Sequence, residues 1–156
     1  MPGDFIRIEG LESIDKLLLA LKRFPQQVKR NLGAAGLEAV KRVIFPVQGL
    51  KRYPPATAAH QPPTPYYIRG RGMQYKSRNT GSSERFGSQW YSKSTGYATE
   101  IGNRASYAKY LSGEEQASHM KPKGWRILRE VVEEKMSDIA KVYQSWINKT
   151  LKDLGL

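Results

Sequence analysis

Cysteine is missing from the 156 residues, which excludes disulfides and thiolate metal sites. Histidine is nearly missing. His60 and His119 are the only two, and neither has a histidine or cysteine three or four residues away, so the spacing of a metal centre is not there. Long apolar runs are also lacking. The longest, Leu17–Leu21, is far too short to span a bilayer. The N-terminus has neither the basic head nor the apolar core of a signal peptide. These absences lead to the expectation of a soluble protein made in the cytoplasm, with no membrane partner. Acidic residues are scarce, 14 against 26 Lys and Arg, giving a formal charge of +12. Such an excess draws a chain toward nucleic acid, acidic protein or an anionic surface, and says nothing about fold.

Catalytic machinery is equally thin. No serine sits in a nucleophile elbow and no phosphate-binding loop occurs. Glu114-Glu115 reads as a solvated pair on a polar loop rather than an acid/base couple. Of the acidic residues near the N-terminus (Asp4, Glu9, Glu12 and Asp15), the last two suit the first turn of a helix. The chain is therefore expected not to be an enzyme, with no catalytic residue, cofactor or metal.

What the chain does have is a long basic stretch, roughly residues 49–81, rich in proline. It carries Lys51, Arg52, Arg69, Arg71, Lys76 and Arg78, no Asp or Glu, prolines at 54, 55, 62, 63 and 65, and tyrosines at 53, 66, 67 and 75. Loops of this length inside a domain are uncommon and are functional or disordered. The prolines favour extended backbone, and Gly70-Arg71-Gly72 reads as a bend. Basic residues interleaved with tyrosine suit phosphates and bases. They equally suit protein interfaces, where Tyr and Arg are enriched. Composition leaves protein interface, nucleic acid and plain disorder all open.

The flanks are regular. Phe5–Ile8 alternates like a short strand. Leu11, Ile14, Leu18 and Leu21 recur at helical steps. Pro25 suits the first turn of a second helix, whose stripe is Val28, Leu32, Ala35, Ala39 and Val43 and which ends by Pro46. Gly33 and Gly36 in it point to close packing on a neighbour. Ser82 or Ser83 predicts a cap for a short turn through Phe86. Gln89–Lys93 and Tyr97–Ile101 predict a hairpin across Ser94-Thr95-Gly96, and Ala105–Leu111 a short helical element. Gly113–Gly124 reads as a polar loop. From Trp125 on, Leu128, Val132, Met136, Ile139, Tyr143, Trp146 and Thr150 form one face of a helix about 40 Å long if unbroken. The result is one α+β domain over 1–156: N-terminal helices and a long C-terminal helix packed on a small antiparallel sheet, with a long extended central loop.

This order of motifs resembles the small tail-completion, or head–tail joining, proteins of long-tailed bacteriophages. The resemblance rests on the opening IEGLESIDKLLLALKRFPQQVKRNLGAAGLEAVKRVIFPV, on Thr80-Gly81 followed by SERFGSQW, and on Ile101-Gly102. It continues through Tyr107-Ala108-Lys109-Tyr110, Gly113, and Gly124-Trp125 before the last helix. Many such proteins keep the link from the proline to the Thr-Gly step short. Here YPPATAAHQPPTPYYIRGRGMQY separates Pro46 from Thr80, like a subgroup carrying an insertion.

The resemblance implies a non-enzymatic role in virion morphogenesis at the neck, where head meets tail, for a phage or prophage. Implied partners are other neck and tail proteins and further copies of the chain in a ring, six copies being the expected order. Contact with packaged DNA is possible. The protein would act in the host cytoplasm during assembly and then reside in the virion. A heterologous ring needs two different patches per subunit, and the basic loop suits one of them, ordering as the ring forms. Its expected contacts are Lys51, Arg52, Tyr66, Tyr67, Arg69, Arg71, Tyr75 and Arg78, and removal of Leu50–Asn79 is expected to leave a folded monomer that fails to assemble. The alternative reading is a basic nucleic-acid-binding module.

Overall fold

The computed structural model describes residues 11–52, 54 and 86–156, with side chains from residue 14 onward. The strand expected at Phe5–Ile8 and the caps expected at Ser82 or Ser83 lie outside the described residues. Helix α1 (Leu11–Arg23) meets α2 (Pro25–Ala39) at Phe24, and the Val28 amide donates to the Phe24 carbonyl across the joint at 3.1 Å. α2 runs into a π turn, Val40–Ile44, closed by the Phe45 amide on the Val40 carbonyl. After residue 86 come a 3-10 turn (Phe86–Ser88), strands β1 (Trp90–Ser94) and β2 (Thr99–Asn103), and a short α3 (Ala108–Leu111). Helices α4 (Leu128–Glu134) and α5 (Met136–Asp153) complete the chain. The class is α+β, helices packed on a two-stranded antiparallel sheet.

α2 and α5 lie side by side and antiparallel: Asn31 donates to Thr150 at one end, and the Trp146 indole donates to Glu38 further along. α2 also carries the hairpin. A two-stranded sheet alone is marginal in water, and this one is held by its inner face, which presents Ser94, Thr99, Ile101 and Trp90. The approach depends on α2 lacking side chains where the strands cross. A Cβ on Gly36 would overlap Thr99 and come within 2.6 Å of the Tyr143 hydroxyl, and one on Gly33 would strike Ser94. The close packing expected of these two glycines is thus observed.

Two apolar clusters result. One gathers Ile44, Leu50, Phe86, Trp90, Ala105, Leu111, Trp125 and Val131. The other joins Ala20 of α1, Val28 of α2 and Leu151 of α5, flanked by Leu17, Leu21, Leu32 and Ile147. The stripe expected on α2 is buried or half-buried throughout.

Four expectations change in detail. On α1 the buried side is Ala20 with Leu17 and Leu21, whereas Ile14 and Leu18 are 53% and 51% exposed. Leu21 sits at the edge of the apolar arc, so the arc is wider than the surface α2 and α5 cover. The hairpin is shifted toward the C-terminus: Trp90 pairs with Asn103 and Ser94 with Thr99. Tyr97 falls in the turn, because the Thr95 amide and hydroxyl both donate to the Ala98 carbonyl. The last helix starts at Leu128 and bends at Lys135, whose φ and ψ of −94° and 7° leave the helical region. Hydrogen bonds persist on both sides, from Lys135 to Val131 and from Ile139 to Lys135. The bend lets α4 turn Val131 fully into the aromatic cluster while α5 follows α2.

The fourth change is in Gly113–Gly124, which is a folded connection. The Gln116 side-chain amide donates to the Leu111 and Trp125 carbonyls, at 2.8 and 3.2 Å, and the Leu128 amide donates to the Ser112 carbonyl. Gln116→Ala strands both of those carbonyl contacts. We expect a loss of about 1–3 kcal/mol, measurable as a lower urea midpoint at unchanged slope.

Candidate partner-binding segment and its anchorage

The expected contact residues divide sharply. Tyr66, Tyr67, Arg69, Arg71, Tyr75 and Arg78 lie outside the described residues. Lys51 and Arg52 are described, and both are exposed. They sit where the described residues stop, and the local sequence explains the geometry there. Gly49 adopts φ 84°, a conformation glycine takes without penalty. Its amide donates to the Arg52 carbonyl at 2.8 Å, forming a tight turn, and its carbonyl accepts from the Arg126 amide at 2.8 Å. Gly49 also lies directly on the Gly124 carbonyl, where a Cβ would collide. Inside the turn Leu50 is fully buried. Lys51 projects outward, its Nζ 4.4 Å from the centre of the Phe45 ring, a cation–π contact that steers the ammonium without neutralising it.

Where the described chain resumes, Phe86 is fully buried among aromatic rings. Trp90 and Trp125 meet it edge-on, each at 5.5 Å between centroids, and Tyr107 stacks at 6.1 Å. Asn103 donates to the Phe86 carbonyl at 2.9 Å and fixes its backbone. Leu50 and Phe86 belong to one cluster. The two ends of the basic segment are therefore clamped to the same rigid core. Sequence reasoning chose the charged residues and missed these two anchors. The available signal was a single large apolar residue on each side of a polar, proline-rich stretch.

The described body also carries its own surface features. A cleft of about 180 Å³ opens between α2, the π turn, β2 and the α4–α5 bend, lined by Gly36, Ala39, Val40, Ile101, Met136 and Tyr143 among others. It is apolar, and the Thr99 hydroxyl buried in it has no hydrogen-bond partner. Among the described residues no His, Asp and Glu side chains converge where a metal ion could sit, and no described helix is long and apolar enough to cross a membrane.

Beside the cleft, Glu38 bridges α2 and α5. It accepts from Arg42 at 2.6 Å and from the Trp146 indole at 2.8 Å, and these two bonds hold its carboxyl below the usual glutamate range. Glu134 and Asp138 are lowered too, chiefly by Arg126 and Lys141 respectively. A carboxylate lowered on folding stabilises the fold above its unfolded pKa, about 4.3 for Glu and 3.9 for Asp, and that contribution is lost as pH falls through the folded value. Carbon-13 NMR of the Glu38 carboxyl is expected to give a midpoint below that of free glutamate. Arg42→Ala and Trp146→Phe should each raise it.

The arrangement as a whole offers anchorage, charge and apolar surface. No family profile, curated protein or solved structure matches the chain.

Proposed function

We propose that the protein is a non-enzymatic assembly component of a phage or prophage particle, acting in tail completion at the head–tail joint, with the basic central segment as its docking arm. The observation that carries this reading is the anchorage of both arm ends, Leu50 and Phe86, in one aromatic core. An arm held at both ends by a rigid body can be presented to a neighbouring subunit without the body unfolding. The order of elements, two helices, a hairpin and a C-terminal helical pair, agrees with the order that the resemblance to joining proteins implies. A heterologous ring then needs a second patch to receive the arm, and the apolar cleft by Thr99 and Met136 is open on the body's surface.

The test is replacement of the arm. Its boundaries must respect the anchors: removing Leu50 would empty a core position, so the deletion should span residues 55–83 and leave Leu50, Pro54 and Phe86 in place. A Gly/Ser linker of about eight residues, with a root-mean-square reach of roughly 16 Å, closes the gap. The shortened protein is expected to keep its helical circular dichroism and cooperative unfolding while losing assembly into particles.

A further inference from the structure

The joint between α1 and α2 repeats a Lys-Arg pair: Lys22-Arg23 precede Phe24-Pro25, and Lys29-Arg30 follow. All four cations are exposed, and among the described residues none forms an ion pair. Elsewhere the cations divide: Lys109, Lys121, Arg126, Arg129, Lys135 and Lys141 each face a carboxylate, while Lys93, Lys123 and Lys152, like the joint's four, are in no ion pair among the described residues. Along the chain the acidic residues nearest the joint are Asp15 and Glu38, and Glu38 is already engaged by Arg42 and Trp146.

The four cations fall within nine residues of sequence, on both sides of the break between α1 and α2 at Phe24. That many like charges with no acid between them repel, and a polyanion relieves the repulsion. The stem of Lys29 is laid along the hairpin turn at Gly96, which directs its ammonium. Phe24, 40% exposed, sits in the middle of the group.

We infer that this joint is a docking surface for the sugar–phosphate backbone of duplex DNA, without base specificity. Duplex DNA carries a phosphate charge about every 1.7 Å along its axis, so cations clustered at one joint can meet several phosphates at once. Phe24 offers an apolar face to the groove wall. The exposed Ile14 and Leu18 share a face of α1 with Lys22 at steps of four residues, so an anionic bilayer is the rival surface that the experiment must separate from duplex. Only Arg7, Arg69, Arg71, Lys76, Arg78 and Arg85 of the 26 basic residues lie outside the described residues, so most of the excess charge belongs to the body. The inference stands apart from the assembly reading: DNA affinity can be lost with assembly intact, and the reverse.

The experiment is fluorescence anisotropy of the full chain with a labelled duplex of about 20 base pairs across a salt series, since each phosphate contact adds about −0.9 to the log–log slope. The joint variant carries Lys22→Gln, Arg23→Gln, Lys29→Gln and Arg30→Gln. The arm variant carries Arg69→Gln, Arg71→Gln, Lys76→Gln and Arg78→Gln. Circular dichroism and thermal melts confirm that both fold. The joint variant is expected to lose at least tenfold in affinity near 0.1 M salt and about three units of slope, while the arm variant keeps most of both. The inference is overturned if the joint variant binds like the parent, if only the arm variant weakens, or if the parent chain fails to bind duplex. Preference for phosphatidylserine vesicles over the duplex overturns it as well. Should the joint variant melt early, Lys22→Gln/Arg30→Gln alone must still lose about two units of slope.

Discussion

Phe86→Ala is expected to cost about 3–5 kcal/mol, which is a large share of the whole stability of an ordinary domain. The ring is fully buried, with Trp90, Trp125 and Tyr107 packed around it and Leu50 in the same cluster. Truncation opens a space that three large rings cannot all collapse into, because Trp90 is held in β1 and Trp125 precedes α4. Urea titration monitored at the tryptophans reads the effect directly. Phe86→Leu keeps most of the volume and should cost well under half as much. The consequence for the arm is specific. With the ring gone the chain entering at residue 86 loses its anchor, so limited proteolysis within residues 55–85 should speed up more than cleavage elsewhere in the body.

The second large effect is expected at Gly49. At φ 84° an alanine is strained by about 1–2 kcal/mol, and its Cβ would meet the Gly124 carbonyl, a backbone atom that cannot swing aside. Overpacking of that kind adds about 1–3 kcal/mol. The turn that carries Lys51 and Arg52 and the Arg126 hydrogen bond to the Gly49 carbonyl would move together. Gly155 provides the control: φ is 72°, but nothing lies within 4 Å of the added carbon, so Gly155→Ala should cost the backbone strain alone. Thermal melts of the two variants side by side separate strain from collision. If both lose equally, the contact with Gly124 contributes nothing.

Much of the fold was legible in residue spacing. Pro25 sets the start of α2, its stripe from Val28 to Ala39 is buried or half-buried, and Gly33 and Gly36 announce a close neighbour that proves to be the hairpin. Periodicity misled where tertiary packing chooses among apolar positions. Ile14 and Leu18 fit a helical stripe as well as Leu17 and Leu21 do, but only the latter pair meets the second cluster. The bend at Lys135 left no mark, since neither glycine nor proline causes it and the hydrogen bonds run through. Tyr97 suits a strand by propensity, but the bonds from Thr95 to Ala98 place it in the turn. At the candidate site the charges were legible and the anchors were not. Burial of Leu50 and Phe86 depends on Trp125, which is distant in sequence from both.

The central proposal is that the anchored arm joins particle components. Electron microscopy of particles produced with the residue 55–83 replacement, from the genome that encodes the chain, tests it most directly. The expected result is filled heads and separate tails, with joining restored by the full-length chain supplied in trans. Intact, joined particles carrying the shortened protein would contradict it.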